Sequence, residues 1–111
     1  MQHHMAGRLQ AAEQIYRQIL AAEPDQPDAI QLLGMVAEQE GKHEVAIEYM
    51  GRAIQLRGDM PAFHSNLGEA YRALQRFSEA IDCYHRALRI QPDFAEAHNN
   101  LGNAFKGRGR L

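Results

Sequence analysis

The side chains of this chain that could do chemistry are its six histidines and its single cysteine. His3 and His4 are adjacent, so on a helix they point in different directions, and whether they are native is left open. His64 and His98 are predicted to pack as half-buried rings, and Cys83 as an inert, partly buried thiol. No HEXXH, no CxxC and no pair of histidines four residues apart occurs, although these spacings bring metal ligands together. We therefore predict no catalytic residue, no metal and no cofactor, and expect that the chain alone is not an enzyme.

The composition narrows the possible partners and location. The 111 residues carry a net charge of -2, whereas a nucleic-acid-binding domain of this size usually has a basic excess. No apolar run is long enough for a membrane span, and the N-terminus lacks an apolar signal core, so neither nucleic acid nor membrane is an expected partner. One cysteine cannot form an intrachain disulfide, which favours a reducing, cytoplasmic location. Lys106, Arg108 and Arg110 are interpreted as a solvated turn.

Three asparagines near the C-terminus need a different explanation. Asn99, Asn100 and Asn103 lie in the stretch HNNLGNAF, which otherwise has the pattern of a helix. Asparagine is a mediocre helix former because its amide competes for backbone hydrogen bonds. Three of them within five residues indicate a role other than helix stability, and ordinary solvated surface residues are the alternative.

The elements that would position these residues follow from a 34-residue repeat. Residue classes recur at this interval in six registers, and internal repeats of this length are typical of helical arrays. Each unit reads as two helices, since Ile30, Leu33 and Ala37 follow a helical step and a glycine or proline ends each segment. Small residues are expected to let paired helix backbones approach closely. The clearest registers are Leu-Gly at 33–34, 67–68 and 101–102, alanine at 12, 46 and 80, and Tyr16, Met50 and Tyr84.

The repeat resembles the tetratricopeptide repeat family. The segment HSNLGEAY, followed by Ala80, Tyr84, Ala87 and Pro92, matches the family pattern closely, and residues 27–60 match it more loosely. The resemblance implies an all-α fold, a right-handed α-solenoid of antiparallel helix pairs. It says little about function by itself, because such arrays serve many processes.

We expect a single array with partial units at both ends. The tripeptide GRL occurs at 7–9 and again at 109–111, three periods apart, so the chain is expected to be a piece of a longer array. A compatible expectation is a homo-oligomer in which open ends stack on another copy, with Leu101 and Phe105 as the self-association face. The predicted units are a partial repeat at 1–26 (mainly its second helix), full repeats at 27–60 and 61–94, and a partial repeat at 95–111 (its first helix).

The resemblance also implies where a ligand would bind. In this family the first helix of each unit lines the concave surface, which places the asparagines along a groove. A carboxamide offers donors and an acceptor that match a peptide backbone, so a protein or peptide is the predicted partner. Arrays of O-linked N-acetylglucosamine transferases have a similar asparagine ladder, which Leu32 interrupts here. The predicted groove residues are Gln31, Met35, Asn66, Glu69, Arg72, Asn99, Asn100 and Asn103.

Three functions are compatible with these patterns. The first is a protein-interaction scaffold that binds a peptide or extended segment in the groove. The second is the substrate-recruiting N-terminal segment of a glycosyltransferase, and the third is a self-assembly module that stacks through its repeat ends. Binding of chaperone tails is not expected, because the family clamp needs Lys and Asn where Gln31 and Met35 stand, and Lys and Arg where Glu96 and Asn100 stand.

Overall fold

The chain folds into a stack of helices and turns. The computed structural model describes the backbone of residues 2–110 and the side chains of residues 7–110, so the side chains of His3 and His4 lie outside the described residues. Residues 2–110 contain no strand, and connections of three or four residues join successive helices, which confirms the prediction of an all-α solenoid. The helices are α1 (Gln2–Ala22), α2 (Pro27–Gln39), α3 (His43–Leu56), α4 (Pro61–Ala73), α5 (Phe77–Ile90) and α6 (Ala95–Gly109).

Local sequence signals set the bounds of α2 and α4. Both helices begin at a proline, Pro27 and Pro61, whose fixed φ and missing N–H suit the first helical turn. Two residues after each helix, at equivalent positions of the repeat, the backbone enters the left-handed region: Gly41 has a φ of 78° and Gln75 a φ of 59°. These left-handed residues reverse the chain, so that each first helix packs on the second helix of its unit.

The C-terminal end of α6 differs from the sequence prediction. Gly109 corresponds to Gly41 in the repeat, yet α6 continues through it, so Lys106 and Arg108 lie on a helix and not in a turn. In α2 and α4 the chain must reverse to pack the next helix. No helix follows α6 among the described residues, and nothing there reverses the chain.

The helices form two layers. Each helix packs mainly on the next one in the chain, and α4 also contacts α2 and α6. Because short connections make neighbouring helices antiparallel, α2, α4 and α6 lie side by side in one layer, which we call the inner layer. The helices α1, α3 and α5 form the outer layer. The core lies between the layers in three clusters that include Met50, Tyr84 and Phe63.

Glycines bring the paired helices together, as the sequence predicts. A Cβ added to Gly68 would lie 2.6 Å from the ring of Tyr84, and one added to Gly34 would lie 2.8 Å from the side chain of Met50. Gly102 is the third member of this register, but it has no atom within 4 Å of such a Cβ. The close approach is thus confirmed in the pairs α2–α3 and α4–α5, whereas the same face of α6 is open.

Two equivalent histidines fasten the starts of the inner helices. His64 Nε2 lies 2.9 Å from the carbonyl oxygen of Gly58, and His98 Nε2 lies 2.7 Å from that of Pro92. In each case the ring N–H donates to the turn that precedes the helix. The prediction of half-buried rings is wrong for both: His64 is buried between neighbouring helices, whereas His98 is exposed because α6 is covered on one side only.

Candidate functional site

The inner layer carries two clefts where polar side chains converge. The first, which we call the α2–α4 cleft, has a volume of about 100 Å³. Met35 is partly exposed at this cleft, and carboxylate and amide groups supply the polar part of its wall. Its lining residues are Met35, Glu38, Gln39, Met50, Asn66 and Glu69.

The second cleft lies between the C-terminal ends of α4 and α6, and we call it the α4–α6 cleft. Its volume is about 410 Å³. The backbone of Gly107 packs directly against the ring of Phe77, at the start of α5. This contact holds the last turns of α6 beside α4 and sets the shape of the cleft. Its lining residues are Arg72, Ala73, Gln75, Phe77, Asn103, Lys106, Gly107 and Arg110.

The structure brings five of the eight predicted groove residues into these clefts. Met35, Asn66 and Glu69 line the first, and Arg72 and Asn103 line the second. All five come from the inner layer, which is where the repeat register places them. A chain that ran across the inner layer would pass both clefts.

Asn100 occupies a position that the sequence pattern alone does not indicate. Its Nδ2 donates to Oε1 of Glu69 at 3.2 Å, joining α6 to α4, and the residue is only 5% exposed. One of its two amide hydrogens is therefore used inside the protein. Asn99 and Asn103 are exposed, and their amides are free to meet a ligand.

Gln31 also lies deeper than a groove-lining residue. It is 3% exposed, and both its amide oxygen and its amide nitrogen are buried without a hydrogen-bond partner among the described side chains. Unpaired buried amides are rare in folded proteins. Gln31 is thus buried inside the array and lines neither of the two clefts.

Glu69 is the electrostatic centre of the α2–α4 cleft. Partial burial and the nearby carboxylate of Glu96 raise its pKa, and the hydrogen bond from Asn100 opposes that rise. Glu38 contributes further negative charge, and its own carboxylate contacts the ring of His43. Glu69 therefore lies between carboxylates of α2 and α6, and the positive charge of Arg72 partly offsets their effect on its pKa.

The two residues predicted to form a self-association face lie on α6. Leu101 is partly buried and packs against the cluster of Tyr84. Phe105 is 43% exposed, and the guanidinium of Arg108 lies 5.1 Å from its ring centroid. On α1, Ile15 and Ile19 are exposed apolar side chains.

Sequence reasoning missed the residues that complete the α4–α6 cleft. The sequence pattern indicates a solvated turn for Lys106 and Arg110. In the structure both residues line the same cleft as Arg72 and Asn103. Lys106 lies 34 residues after Arg72, the same repeat register. That spacing is the signal by which the pair could have been found.

Among the described side chains, the histidines, the carboxylates and the cysteine are the groups from which a metal site or a reactive thiol would be built. Residues 7–110 contain no group of three or more His, Cys, Asp or Glu side chains that could hold a metal ion. Cys83 is buried, and this burial raises the pKa of its thiol to about 11, so it is uncharged and weakly nucleophilic at neutral pH. No helix within residues 2–110 combines the length and apolar character of a membrane span.

Comparison with known families finds two matching models. The model described as "TPR repeat" matches residues 68–109, and the model described as "Anaphase-promoting complex, cyclosome, subunit 3" matches residues 5–87. None of the curated proteins compared with the chain matches it significantly.

Solved structures share the whole fold. The first TPR of Spaghetti (RPAP3), bound to an HSP90 peptide of sequence SRMEEVD, is 25% identical with a TM-score of 0.88, over 97% of this chain and 86% of that one. An O-GlcNAc transferase variant of Thermobaculum terrenum is 31% identical with a TM-score of 0.83 over 91% of this chain, which spans only 20% of the transferase. MamA, at 24% identity and a TM-score of 0.86 over 97% of this chain and 63% of its own, shares the fold.

Proposed function

We propose that this chain, which belongs to the tetratricopeptide repeat family, binds an extended peptide along the inner layer. As a member of this family the chain is a protein-interaction module, and the groove and its contact residues are the proposal. The observation that carries it is the convergence of Met35, Asn66 and Glu69 in one cleft and of Arg72 and Asn103 in the next. A reducing, cytoplasmic location belongs to the same proposal.

The asparagines contact the backbone of the bound peptide. Asn66 in the α2–α4 cleft and Asn103 in the α4–α6 cleft each present a carboxamide that pairs with a peptide C=O and N–H. The exposed Asn99 adds a third such group. Asn100 does not contact the peptide itself. Its hydrogen bond to Glu69 orients a carboxylate of the α2–α4 cleft. A peptide-bound neighbour, the RPAP3 repeat domain, supports this use of the fold.

Peptide-array binding tests the proposal. The wild-type chain is compared with the Asn66→Ala/Asn103→Ala variant, and helicity is measured for both. Loss of two hydrogen bonds should weaken binding about tenfold across many peptide sequences. The matched control, Gln18→Ala/Gln55→Ala, removes two exposed amides from the outer layer and should bind as the wild type does. An array without binding, or binding that the asparagine variant leaves unchanged, would refute the groove.

A substrate-recruiting segment of a glycosyltransferase is a second candidate function. The 31% identity to the O-GlcNAc transferase over 91% of this chain favours it. In this case the same groove would bind the polypeptide that is to be glycosylated. A coding sequence that continues past Leu111 into a nucleotide-sugar-binding domain would support this function, and one that continues into an unrelated domain would exclude it.

Self-assembly is a third candidate, and the open register position at Gly102 favours it. Tyr84 fills the space at Gly68. Tyr16 of α1 lies two repeat units before Tyr84 and therefore occupies the same position of the repeat. The outer-layer helix α1 of a second copy would thus supply to Gly102 the aromatic residue that α5 supplies to Gly68. Such head-to-tail contacts give open oligomers. Light scattering should then show mass rising with concentration, and a strict monomer would exclude this candidate.

A further inference from the structure

The α4–α6 cleft is lined by positive charge alone. Within residues 7–110, Arg72, Lys106 and Arg110 are its only ionisable lining residues, and no side-chain carboxylate from this range belongs to its wall. The α2–α4 cleft has the opposite character, with Glu38 and Glu69 and no cation. The inner layer is therefore polarised, although the chain as a whole carries a net charge of only -2.

Among the described side chains, the cations of this cleft form no ion pair, and Arg72 has only a longer-range interaction with Glu69. Arg76, a neighbour in sequence, is paired with Glu79 at 2.7 Å, and Arg57 is paired with Asp59. Among the side chains of residues 7–110, no carboxylate lies within 4.0 Å of Arg72, Lys106 or Arg110. Three like charges around one cleft repel each other unless an anion lies between them.

Packing holds Arg72 and the backbone that carries Lys106, while the Lys106 side chain is exposed. The Nε of Arg72 is buried and has no hydrogen-bond partner, so at least one of its donors has been taken out of water without compensation. On the other wall, Gly107 packs against Phe77, which fixes the turn of α6 that carries Lys106. The cleft is preorganised, and this lowers the entropic cost of binding.

We propose that the α4–α6 cleft binds an anionic side chain of the peptide that lies in the groove. Arg72 and Lys106 provide charge from two helices, Arg110 closes the end, and Asn103 donates an amide hydrogen. A carboxylate and a phosphorylated serine share the chemistry that this set recognises. The site differs from the family clamp for chaperone tails, whose cationic positions carry Gln31, Glu96 and Asn100 here. This inference rests on the proposed peptide groove.

Fluorescence anisotropy with three equally labelled, end-blocked peptides tests the inference: AAEEAA, AAQQAA, and AASEAA with its serine phosphorylated. AAEEAA should bind more tightly than AAQQAA, and its affinity should fall as salt is added. The Lys106→Gln/Arg110→Gln variant should weaken AAEEAA about fivefold and leave AAQQAA unchanged. The matched control, Arg86→Gln/Arg89→Gln, removes the same charge from α5, outside both clefts. Comparison of AAEEAA with the phosphorylated peptide shows whether the cleft prefers a carboxylate or a phosphorylated serine. The phosphate should bind more tightly if it is the preferred group, because its larger charge interacts more strongly with two cations.

The outcomes separate the two proposals. Equal binding of AAEEAA and AAQQAA, or equal losses in the two charge variants, would overturn the anionic subsite and leave the peptide groove standing. Absence of binding by all three peptides would overturn both. Tighter binding of a single-stranded oligonucleotide than of the acidic peptides would also contradict the inference, because it would identify a polyanion partner.

Discussion

Asn100 and Glu69 are joined by a hydrogen bond of 3.2 Å that links two successive repeats. Asn100 comes from α6 and is almost fully buried, and Glu69 comes from α4 and is partly buried. The bond satisfies a carboxylate oxygen that would otherwise lose solvent without compensation. It also holds that carboxylate at the edge of the α2–α4 cleft.

Replacing Asn100 should therefore destabilise the fold, whereas replacing its neighbour should not. We expect Asn100→Ala to lower the free energy of unfolding by about 1 kcal/mol, since the loss of a bond to a charged group outweighs the gain in helix propensity. Asn99→Ala makes the same change at an exposed site and should stay within about 0.5 kcal/mol of the wild type. Urea denaturation followed by circular dichroism measures both. Equal effects would show that the hydrogen bond contributes nothing.

Glu69 should make stability depend on pH in the opposite sense to a paired carboxylate. Its raised pKa means that its contribution to stability is fully present below the ordinary glutamate pKa and is lost as pH rises through the raised pKa. Glu69→Gln cannot ionise but can still accept from Asn100, so its stability relative to the wild type should increase from pH 4 to pH 7. Glu48→Gln, an exposed change on α3, should show no such increase. A relative stability that falls over this range would contradict the assignment.

The two equivalent glycines Gly68 and Gly102 should respond to alanine with opposite signs. Gly68→Ala forces a methyl group into the ring of Tyr84 and should cost about 1–3 kcal/mol of stability. Gly102→Ala meets open space and should stabilise α6 by about 0.5–1 kcal/mol, because alanine loses less conformational freedom than glycine. Thermal and urea unfolding of the two variants measure both changes in the free energy of unfolding. A stable Gly68→Ala variant would show that the helix pair is loosely packed.

Gln75 carries backbone strain that glycine would relieve. Its φ of 59° costs about 1–2 kcal/mol for a residue with a Cβ, and the equivalent turn before α3 uses Gly41. We expect Gln75→Gly to raise the free energy of unfolding by about 0.5–1 kcal/mol after the entropy of glycine is subtracted. Gln14→Gly, at an exposed position in the interior of α1, should lower it by a similar amount. Destabilisation by both changes would show that the turn is not strained.

The fold could be predicted from the sequence because the same residue pattern occurs in several successive repeats. Leucine, glycine and alanine at fixed intervals indicated both helices of each unit, and the close approach of paired helices at Gly68 followed from the same register. That Tyr84 of the same unit fills this space was not predicted, since its register indicates packing between units. Contacts between repeats were harder to predict. The bond of Asn100 to Glu69 depends on how two inner helices lie side by side, which composition and periodicity do not encode.

The same limit explains the missed cations. The glycine pattern predicts a solvated turn for Lys106 and Arg110, but α6 continues through Gly109, so Lys106 is helical and Arg110 alone lies in the turn. The packing of α6 on α5, including that of Gly107 on Phe77, brings Lys106 beside Arg72 in one cleft.

The most direct test of the groove is a two-dimensional ¹H–¹⁵N NMR titration of the wild-type chain with the strongest peptide from the array. The chain is kept at a concentration at which light scattering gives constant mass. We expect that the shifted signals belong to the inner layer, above all to Met35, Asn66, Glu69, Arg72 and Asn103, and that the signals of exposed residues of α3 and α5 stay unchanged. Shifts confined to α3 and α5, or to the open face around Phe105, would contradict it.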